Sequence, residues 1–171
     1  MDLDPQIYRQ TMGHFATGVT VVISQAGAAT HAMTANSVTS VSLDPMLLLF
    51  CPSKHAALSQ ALDHTSAFTL NILRDDQQAL SAYFAGLWTA PAPPPFAFTP
   101  WRGAPRLEAC LAALACQVRQ VVDGGDHWIV VGQVVDLHLG AEPRRPLVFF
   151  GGRYRHLLEG EPAPRSDGSL A

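Results

Sequence analysis

MTANSVTSVSLDPMLLLFCPSK, residues 33–54, is the most informative segment of this 171-residue chain. Its Met46–Phe50 run is continuously apolar, which predicts a strand buried on both faces. The residues before that run are small and rich in hydroxyl groups, and small side chains let a planar ligand approach the backbone. Amide and hydroxyl groups of Thr34, Asn36 and Ser37 can hydrogen-bond to the polar edge of a heterocycle. A hydroxyl-rich strand with one solvated face explains the same composition, so the residues alone leave both interpretations open.

Outside this segment the pattern predicts a strand-rich chain with three short helices. The helices are predicted over residues 4–14, from Pro52-Ser53 to Asp63-His64, and from a cap at Asp75 through Leu87. The other strands are predicted over residues 19–23, from residue 30 onward, and over 68–73, 111–122, 127–139 and 146–150. Helices and strands do not alternate regularly, and no GxGxxG motif follows a strand, which argues against a Rossmann fold. A β-barrel, which removes exposed sheet edges, fits the pattern best.

The composition indicates one globular domain with little charge. Charged residues make up 15% of the chain and hydrophobic residues 48%, which suggests that a second subunit covers apolar surface. The net charge of −3, without any block of like charge, argues against nucleic-acid binding. The N-terminus does not resemble a signal peptide, and the longest apolar run is too short to cross a bilayer. We therefore expect a cytoplasmic protein with no membrane partner, in which Cys51, Cys110 and Cys116 are reduced thiols.

Cys51-Pro52-Ser53-Lys54 lies where the apolar strand meets the second predicted helix. The first-turn amides of a helix are unpaired and attract anions, and Ser53 and Lys54 add a hydroxyl group and a positive charge. A phosphate is the ligand that such an arrangement would bind. The alternative is a simple serine cap beside a solvated lysine.

Two further positions carry chemistry next to turns. His127 follows the Asp123-Gly124-Gly125-Asp126 turn of a predicted hairpin, where it either contacts a cofactor or substrate or simply pairs with Asp126. Tyr154 follows the last predicted strand, where a place at a pocket mouth and packing in the core are both open. None of the seven histidines shows HExxH or HxxxH spacing, so no metal site is predicted.

Several of these motifs occur together, in one order, in a known family. Met33-Thr34-Ala35-Asn36-Ser37 followed by residues 40–45 resembles the signature of the short-chain flavin reductases. These are the FMN-binding split-barrel reductases of two-component flavin monooxygenase systems. The Gly125-Asp126-His127 turn agrees in order, and the resemblance spans residues 7–158. The chain departs from the family pattern at three positions without losing a polar contact, namely Ala32, Val38 and Met46.

The resemblance implies a mainly β fold with short helices, built as a Greek-key-like, FMN-binding split β-barrel that forms a homodimer. This flavin reductase-like domain is expected to occupy residues 1–158, while the polar residues 159–171 are expected to be a disordered tail. The flavin is expected near the subunit interface, and His127 near the nicotinamide as the catalytic residue. The resemblance assigns the following residues to the flavin ring or its ribityl and phosphate tail: Met33, Thr34, Ala35, Asn36, Ser37, Cys51, Ser53, Lys54 and Tyr154.

The implied activity is that of an NAD(P)H:flavin oxidoreductase of class EC 1.5.1.-, which uses NADH or NADPH to reduce FMN or FAD. The reduced flavin would then diffuse to a separate flavin-dependent monooxygenase. Two alternatives stay open. One is a split-barrel flavoprotein that retains FMN and acts on another substrate, and the other is a non-catalytic flavin-binding module. The proline-rich loop 89–100 is either a lid over the site or a cover for one end of the barrel.

Overall fold

The computed structural model describes residues 3–62, 67–141 and 144–157. Its helices are α1 (Pro5–Gly13), α2 (Ala57–Leu62) and α3 (Gln78–Phe84), the last preceded by a 3₁₀ turn at Asp75–Gln77. Its strands are β1 (Thr17–Gly18), β2 (Thr20–Ala26), β3 (Ala29–Ala35), β4 (Val38–Leu43), β5 (Met46–Phe50), β6 (Ala67–Ile72), β7 (Phe98–Thr99), β8 (Arg106–Leu107), β9 (Ala112–Gly124), β10 (His127–Leu139), β11 (Val148–Phe150) and β12 (Arg153–Arg155). The predicted tail, residues 159–171, lies outside the described residues, so the domain boundary stays a prediction.

Seven strands form one antiparallel sheet in the order β3-β2-β6-β9-β10-β5-β4. The longest pairing joins β9 to β10 through a tight turn in which Gly125 has a φ of 86°. Glycine suits that conformation because it lacks the β-carbon that would clash with the backbone. The edge strands β3 and β4 are joined directly by Asn36-Ser37, and the described residues show no ladder between them. The sheet is therefore left split between its two edges.

Two buried clusters stabilise the two faces of the sheet. Strand β2 contributes to both, because successive side chains of a strand point to opposite faces. Val22 belongs to the first cluster, while Val21 and Ile23 belong to the second. The first cluster also contains Ala35 from one edge strand and Phe50 from β5, next to the other edge. Residues from distant parts of the sheet thus share one interior, as expected of a split barrel.

Gly132 on β10 leaves room for an aromatic ring inside the first cluster. A β-carbon at this position would lie 2.4 Å from Cζ and 2.7 Å from Cε1 of Phe68. Phe68 is almost completely buried, and its ring centroid lies 5.0 Å from that of Phe50. The close packing of protein interiors leaves no space for an added methyl group here.

The aromatic residues of the segment between α3 and β8 pack on the second cluster. The ring centroids of Phe84 and Phe96 lie 5.2 Å apart, as do those of Phe96 and Phe98. Trp101 donates its Nε1–H to Oδ2 of Asp136 at 3.1 Å. None of these aromatic side chains lines the large cavity described below. The structure therefore favours the interpretation of loop 89–100 as a cover for this end of the sheet.

The beginnings of two helices differ from the predictions. Helix α2 begins at Ala57 instead of Pro52-Ser53, because Ser53 forms an isolated β-bridge with His127. The prediction that Asp75 caps the third helical segment was also wrong. The cap is Arg74, whose backbone N–H donates to Oε1 of Gln77 at 2.9 Å. At Ser53 a partner distant in sequence overrides the local signal for a helix start. At Arg74 the side chain of Gln77 does so.

Two strands also differ from the predictions. Strand β5 is not buried on both faces, because Met46 is 48% exposed and the burial along the strand alternates. The chain adds a final hairpin, β11–β12, in which Tyr154 pairs with Phe149. Its turn is Gly151-Gly152, with φ values of 61° and 73°. A two-residue loop with positive φ at both positions is a favoured hairpin connection.

Helix α1 begins as predicted but lacks a core of its own. Asp4 caps it by accepting a hydrogen bond from the backbone N–H of Gln6 at 2.7 Å. None of its residues is buried, and Ile7, Tyr8 and Met12 are each at least half exposed. The apolar side of this helix is therefore left uncovered in the single chain. Within the described residues, no helix has the length and apolar character that a membrane crossing requires.

Candidate functional site

A cavity of about 1090 Å³ opens in the split of the sheet. Helix α1 and the residues that lead into β1 form one wall, and β4 and β5 form another. Leu70, Leu114 and Val134, from β6, β9 and β10, also line the cavity, so most of its surface is apolar. Small-molecule sites commonly enclose about 300–1,000 Å³, with a few polar groups on apolar walls. The volume and lining suit a large, mostly apolar organic ligand with a few polar groups.

The junction of β3 and β4 is tied to the end of β5 by a reciprocal pair of hydrogen bonds. Ser37 donates its hydroxyl to the carbonyl of Cys51 at 3.1 Å, and the Cys51 N–H donates to the carbonyl of Ser37 at 3.1 Å. Both residues line the cavity, as does the exposed Asn36. Three of the predicted flavin-contacting residues therefore lie together on one wall. Because the Ser37 hydroxyl donates to Cys51, it stabilises this wall of the cavity.

The first three residues of the predicted motif lie outside the cavity lining. Met33 packs against the first cluster, and Ala35 is only 6% exposed. Thr34 donates its hydroxyl to the carbonyl of Ser81 on α3 at 2.7 Å. The side chains of Met33, Thr34 and Ala35 thus hold β3 in place. The next two residues, Asn36 and Ser37, line the cavity.

Thr20 on β2 supports the same segment and was missed by the sequence analysis. Its hydroxyl donates to the carbonyl of Ala35 at 2.7 Å, and its side chain is almost completely buried. Thr20 also lines the cavity, together with Thr17. The Thr17 hydroxyl is buried without a hydrogen-bond partner among the described residues. A buried hydroxyl at the edge of a cavity fits a polar ligand, because such groups are normally satisfied. A β-branched run such as residues 19–23 indicates only a strand, so no sequence signal distinguished Thr20 from its neighbours.

Ser53 and Lys54 lie beside the β9–β10 hairpin instead of at a helix N-terminus. The Ser53 hydroxyl accepts a hydrogen bond from the backbone N–H of His55 at 3.3 Å. The Lys54 ammonium lies 2.5 Å from Oδ2 of Asp123 and 4.5 Å from the ring centroid of Trp128. Neither side chain lines the cavity. The predicted helix start at Ser53 is therefore wrong, because α2 begins only at Ala57, and Lys54 carries its positive charge beside the hairpin.

His127 lines the cavity at the start of β10. Its Nδ1 lies 2.7 Å from Oδ1 of Asp126, and this contact holds the pKa of the Asp126 carboxyl below its usual value. The surrounding backbone is fixed because the N–H of Trp128 donates to the carbonyl of Pro52 at 2.9 Å. The Asp126 pairing considered from the sequence is present, and it coexists with a place in the cavity wall.

Tyr154 lies apart from the cavity lining. Its hydroxyl is 2.9 Å from the hydroxyl of Ser81, and its ring centroid is 5.5 Å from that of Phe149. It packs against the second cluster, on the other face of the sheet. The carbonyl of Ser81 also accepts the hydrogen bond from Thr34 of β3. Within the single chain, Tyr154 therefore supports β3 indirectly, through Ser81.

The three cysteines are free thiols whose surroundings disfavour the thiolate. Burial raises the pKa of the Cys116 thiol to about 12 and raises the pKa of Cys51, the one that lines the cavity. A nucleophilic cysteine needs the opposite shift. Among the described residues, no group of three histidine, cysteine or acidic side chains is arranged to hold a metal ion.

The polar and apolar parts of this cavity fit a flavin. Asn36 and Ser37 are among its polar lining residues, and the rest of the lining is mostly apolar, the combination typical of small-molecule sites. His127 lines the same cavity.

Comparison with known proteins points the same way. Residues 12–158 match the flavin reductase like domain family. The chain is 39% identical over 163 residues to an NADH-dependent flavin reductase of a Rhodococcus species, covering 91% of this chain and 90% of the relative. It is 36% identical over 157 residues to HsaB, the reductase subunit of a flavin-dependent monooxygenase of Mycobacterium tuberculosis, covering 89% and 82%. Among solved structures, the flavin reductase PheA2 in its native state superposes with a TM-score of 0.86 at 37% identity, covering 92% of this chain and all of that one.

These matches confirm the mainly β fold and the flavin reductase class of oxidoreductase that the sequence motifs implied. They extend over nearly the whole described chain, so the likeness is not confined to one motif. The chain belongs to the flavin reductase-like domain family.

Proposed function

We propose that this protein uses NADH or NADPH to reduce FMN or FAD, as an oxidoreductase of class EC 1.5.1.-, and releases the reduced flavin to a separate monooxygenase. The observation that carries the proposal is the family match over a chain whose split barrel holds a cavity with His127 in its wall. The name of the Rhodococcus relative favours NADH as the reductant, and that of HsaB favours a monooxygenase partner. A bound flavin supplies the acceptor for the hydride that leaves the nicotinamide.

The backbone at Asn36 and Ser37 is assigned to the polar edge of the flavin ring. Amides that point at the ring stabilise the negative charge that grows on it during reduction. The Ser37–Cys51 pair keeps these groups in place before any ligand binds, so little ordering remains to be done on binding. Met33, Thr34 and Ala35 hold the strand that leads to them, and Lys54 and Ser53 are assigned to the ribityl and phosphate end. Tyr154 is retained as a residue that supports this wall.

His127 is assigned to the nicotinamide. It lines the same cavity as Asn36 and Ser37, so a ring held by the histidine would stack near the flavin. Holding two reactants in contact lowers the entropic part of the barrier, which is a large part of what the reaction needs from the protein. The Asp126 carboxylate orients the imidazole for this task.

A homodimer is assigned from the apolar surface that the single chain leaves uncovered. Ile7, Tyr8 and Met12 of α1 are exposed, and so are Leu137 and Leu139 of β10. Tyr8, Met12 and Leu137 also line the cavity, so a second copy would complete the cavity walls as well as bury apolar area. A cytoplasmic location is supported by the three unpaired thiols.

The purified protein should be assayed with NADH and NADPH, each combined with FMN, FAD and riboflavin, while the absorbance of the reduced nicotinamide is followed. We expect consumption of the nicotinamide only when a flavin is added. His127→Ala should slow this oxidation more than it weakens flavin binding, whereas the control His138→Ala should change neither. His138 also lies on β10 but does not line the cavity.

Two results would replace the proposal by an alternative. A protein that purifies yellow, keeps its flavin through dialysis and oxidises another substrate would be a flavoprotein with a resident cofactor. A protein that binds flavin without consuming either nicotinamide would be a non-catalytic binding module. Sedimentation at the mass of a single chain would contradict the homodimer.

A further inference from the structure

The Lys54 ammonium already has an anionic partner within the chain. Its Nζ lies 2.5 Å from Oδ2 of Asp123, a residue at the end of β9 and 69 positions away in sequence. The Lys54 side chain is 28% exposed and that of Asp123 is 67% exposed, so both remain within reach of a ligand from solvent. A flavin phosphate that approached Lys54 would therefore meet a carboxylate in the same place.

Asp123 is held in this position by the hairpin itself. Its second oxygen, Oδ1, accepts a hydrogen bond from the backbone N–H of Gly125 at 2.9 Å. The carboxylate is thus fixed by the turn on one side and by Lys54 on the other. These hydrogen bonds, that from Lys54 first, keep the pKa of Asp123 below its usual value, so the group is charged at neutral pH.

Lys54 does not depend on Asp123 alone for its position. Its ammonium lies 4.5 Å from the ring centroid of Trp128, a distance at which a cation is attracted to an aromatic face. Its backbone N–H donates to the carbonyl of Asp126 at 3.0 Å. Removal of the Asp123 charge would therefore leave an ammonium group that is still placed and free to bind an anion.

We propose that Asp123 acts as an internal competitor for the flavin phosphate, occupying Lys54 and so lowering the affinity for FMN and FAD but not for riboflavin. The proposal rests on the proposed function, in which Lys54 receives the phosphate end of the flavin. Its consequence is a flavin that is held only moderately and exchanges readily. Such exchange suits an enzyme that passes reduced flavin on to another protein.

The test is Asp123→Asn, because an asparagine retains the Oδ1 acceptor for Gly125 and removes only the charge. Dissociation constants for FMN and riboflavin are measured by quenching of flavin fluorescence. We expect the FMN constant to fall about two- to fivefold, the range expected when one exposed charge pair is removed. The riboflavin constant should not change. The difference for FMN should shrink at high salt, where exposed charges are screened.

The matched control is Asp76→Asn, which removes an equal charge from an exposed pair with Arg74, away from the cavity lining. It should leave both constants unchanged. Asp123→Ser, whose hydroxyl can also accept from the turn amide, repeats the test if the asparagine variant does not fold. Unchanged FMN binding in a folded Asp123 variant, or equal gains for FMN and riboflavin, would overturn the inference alone. Failure of the parent protein to bind any flavin would instead overturn the proposed function.

Discussion

Oδ1 of Asp126 lies 2.7 Å from Nδ1 of His127, and the imidazole of His127 lines the cavity in the split of the sheet. An imidazole held at Nδ1 presents its other edge in one orientation. The Asp126 carboxylate therefore fixes the orientation of a side chain in the cavity wall.

Asp126→Ala should lower kcat/KM for NADH about two- to fivefold, because an exposed pair of polar side chains contributes modestly to orientation. Asp126→Asn keeps an acceptor for Nδ1 and should recover part of the loss. Stopped-flow measurement of flavin reduction at several NADH concentrations checks both variants. The pKa of the Asp126 carboxyl is lowered by His127, so the difference between parent and Asp126→Ala should disappear as the pH falls through that lowered value. Identical kinetics for the parent and Asp126→Ala at neutral pH would show that the pair has no positioning role.

Thr20→Val should destabilise the protein by about 1–3 kcal/mol, the cost of leaving a buried polar group without its partner. The Thr20 hydroxyl donates to the carbonyl of Ala35, immediately before the Asn36-Ser37 segment of the cavity wall. We therefore also expect weaker flavin binding in this variant. Thr20→Ser keeps the hydroxyl and is the control, with a smaller loss of stability and flavin affinity close to that of the parent. Urea denaturation and a flavin titration measure the two effects, and equal behaviour of the valine and serine variants would contradict the assignment.

Gly132→Ala should destabilise the fold by about 1–3 kcal/mol through overpacking. The added methyl group would lie 2.4 Å from Cζ of Phe68 and 3.2 Å from Cβ of Cys116, both in the first buried cluster. Gly18→Ala is the matched control, because a β-carbon there meets nothing within 4 Å and the φ of Gly18 is not positive. Thermal denaturation of the two variants should separate them clearly, and a Gly132→Ala protein as stable as the control would refute the packing argument.

Asp136→Asn should lower the melting temperature at neutral pH. Hydrogen bonds from Arg102 first, then from the backbone of Leu137 and from Trp101, keep the pKa of the Asp136 carboxyl below its usual value. A group with a lowered folded-state pKa stabilises the fold above its unfolded value, about 3.9, and loses that contribution as the pH falls through the folded value. The melting temperatures of parent and variant should therefore converge in acid. A gap that persisted unchanged as the pH fell far into the acid range would contradict this origin.

Much of the fold follows from local sequence signals. The apolar alternation and the Gly125 turn placed the long hairpin over residues 111–122 and 127–139, and the structure has it at Ala112–Gly124 and His127–Leu139. The motif of residues 33–45 and the Gly125-Asp126-His127 turn, taken in order, implied the family that the comparisons confirm. These signals are readable because turn geometry and strand periodicity depend on neighbouring residues.

The sequence by itself determined the class of fold and the family, and it singled out Asn36 and Ser37, which line the cavity. Only the tertiary structure decided what each polar side chain contacts: Thr34 meets Ser81, 47 positions away, and Lys54 meets Asp123, 69 positions away. These contacts exist only because strand pairing brings residues that are distant in sequence close together. Local propensity carries no information about them. The local sequence therefore did not reveal that Thr34 anchors β3 to α3 or that Lys54 forms a charged contact at the β9–β10 hairpin.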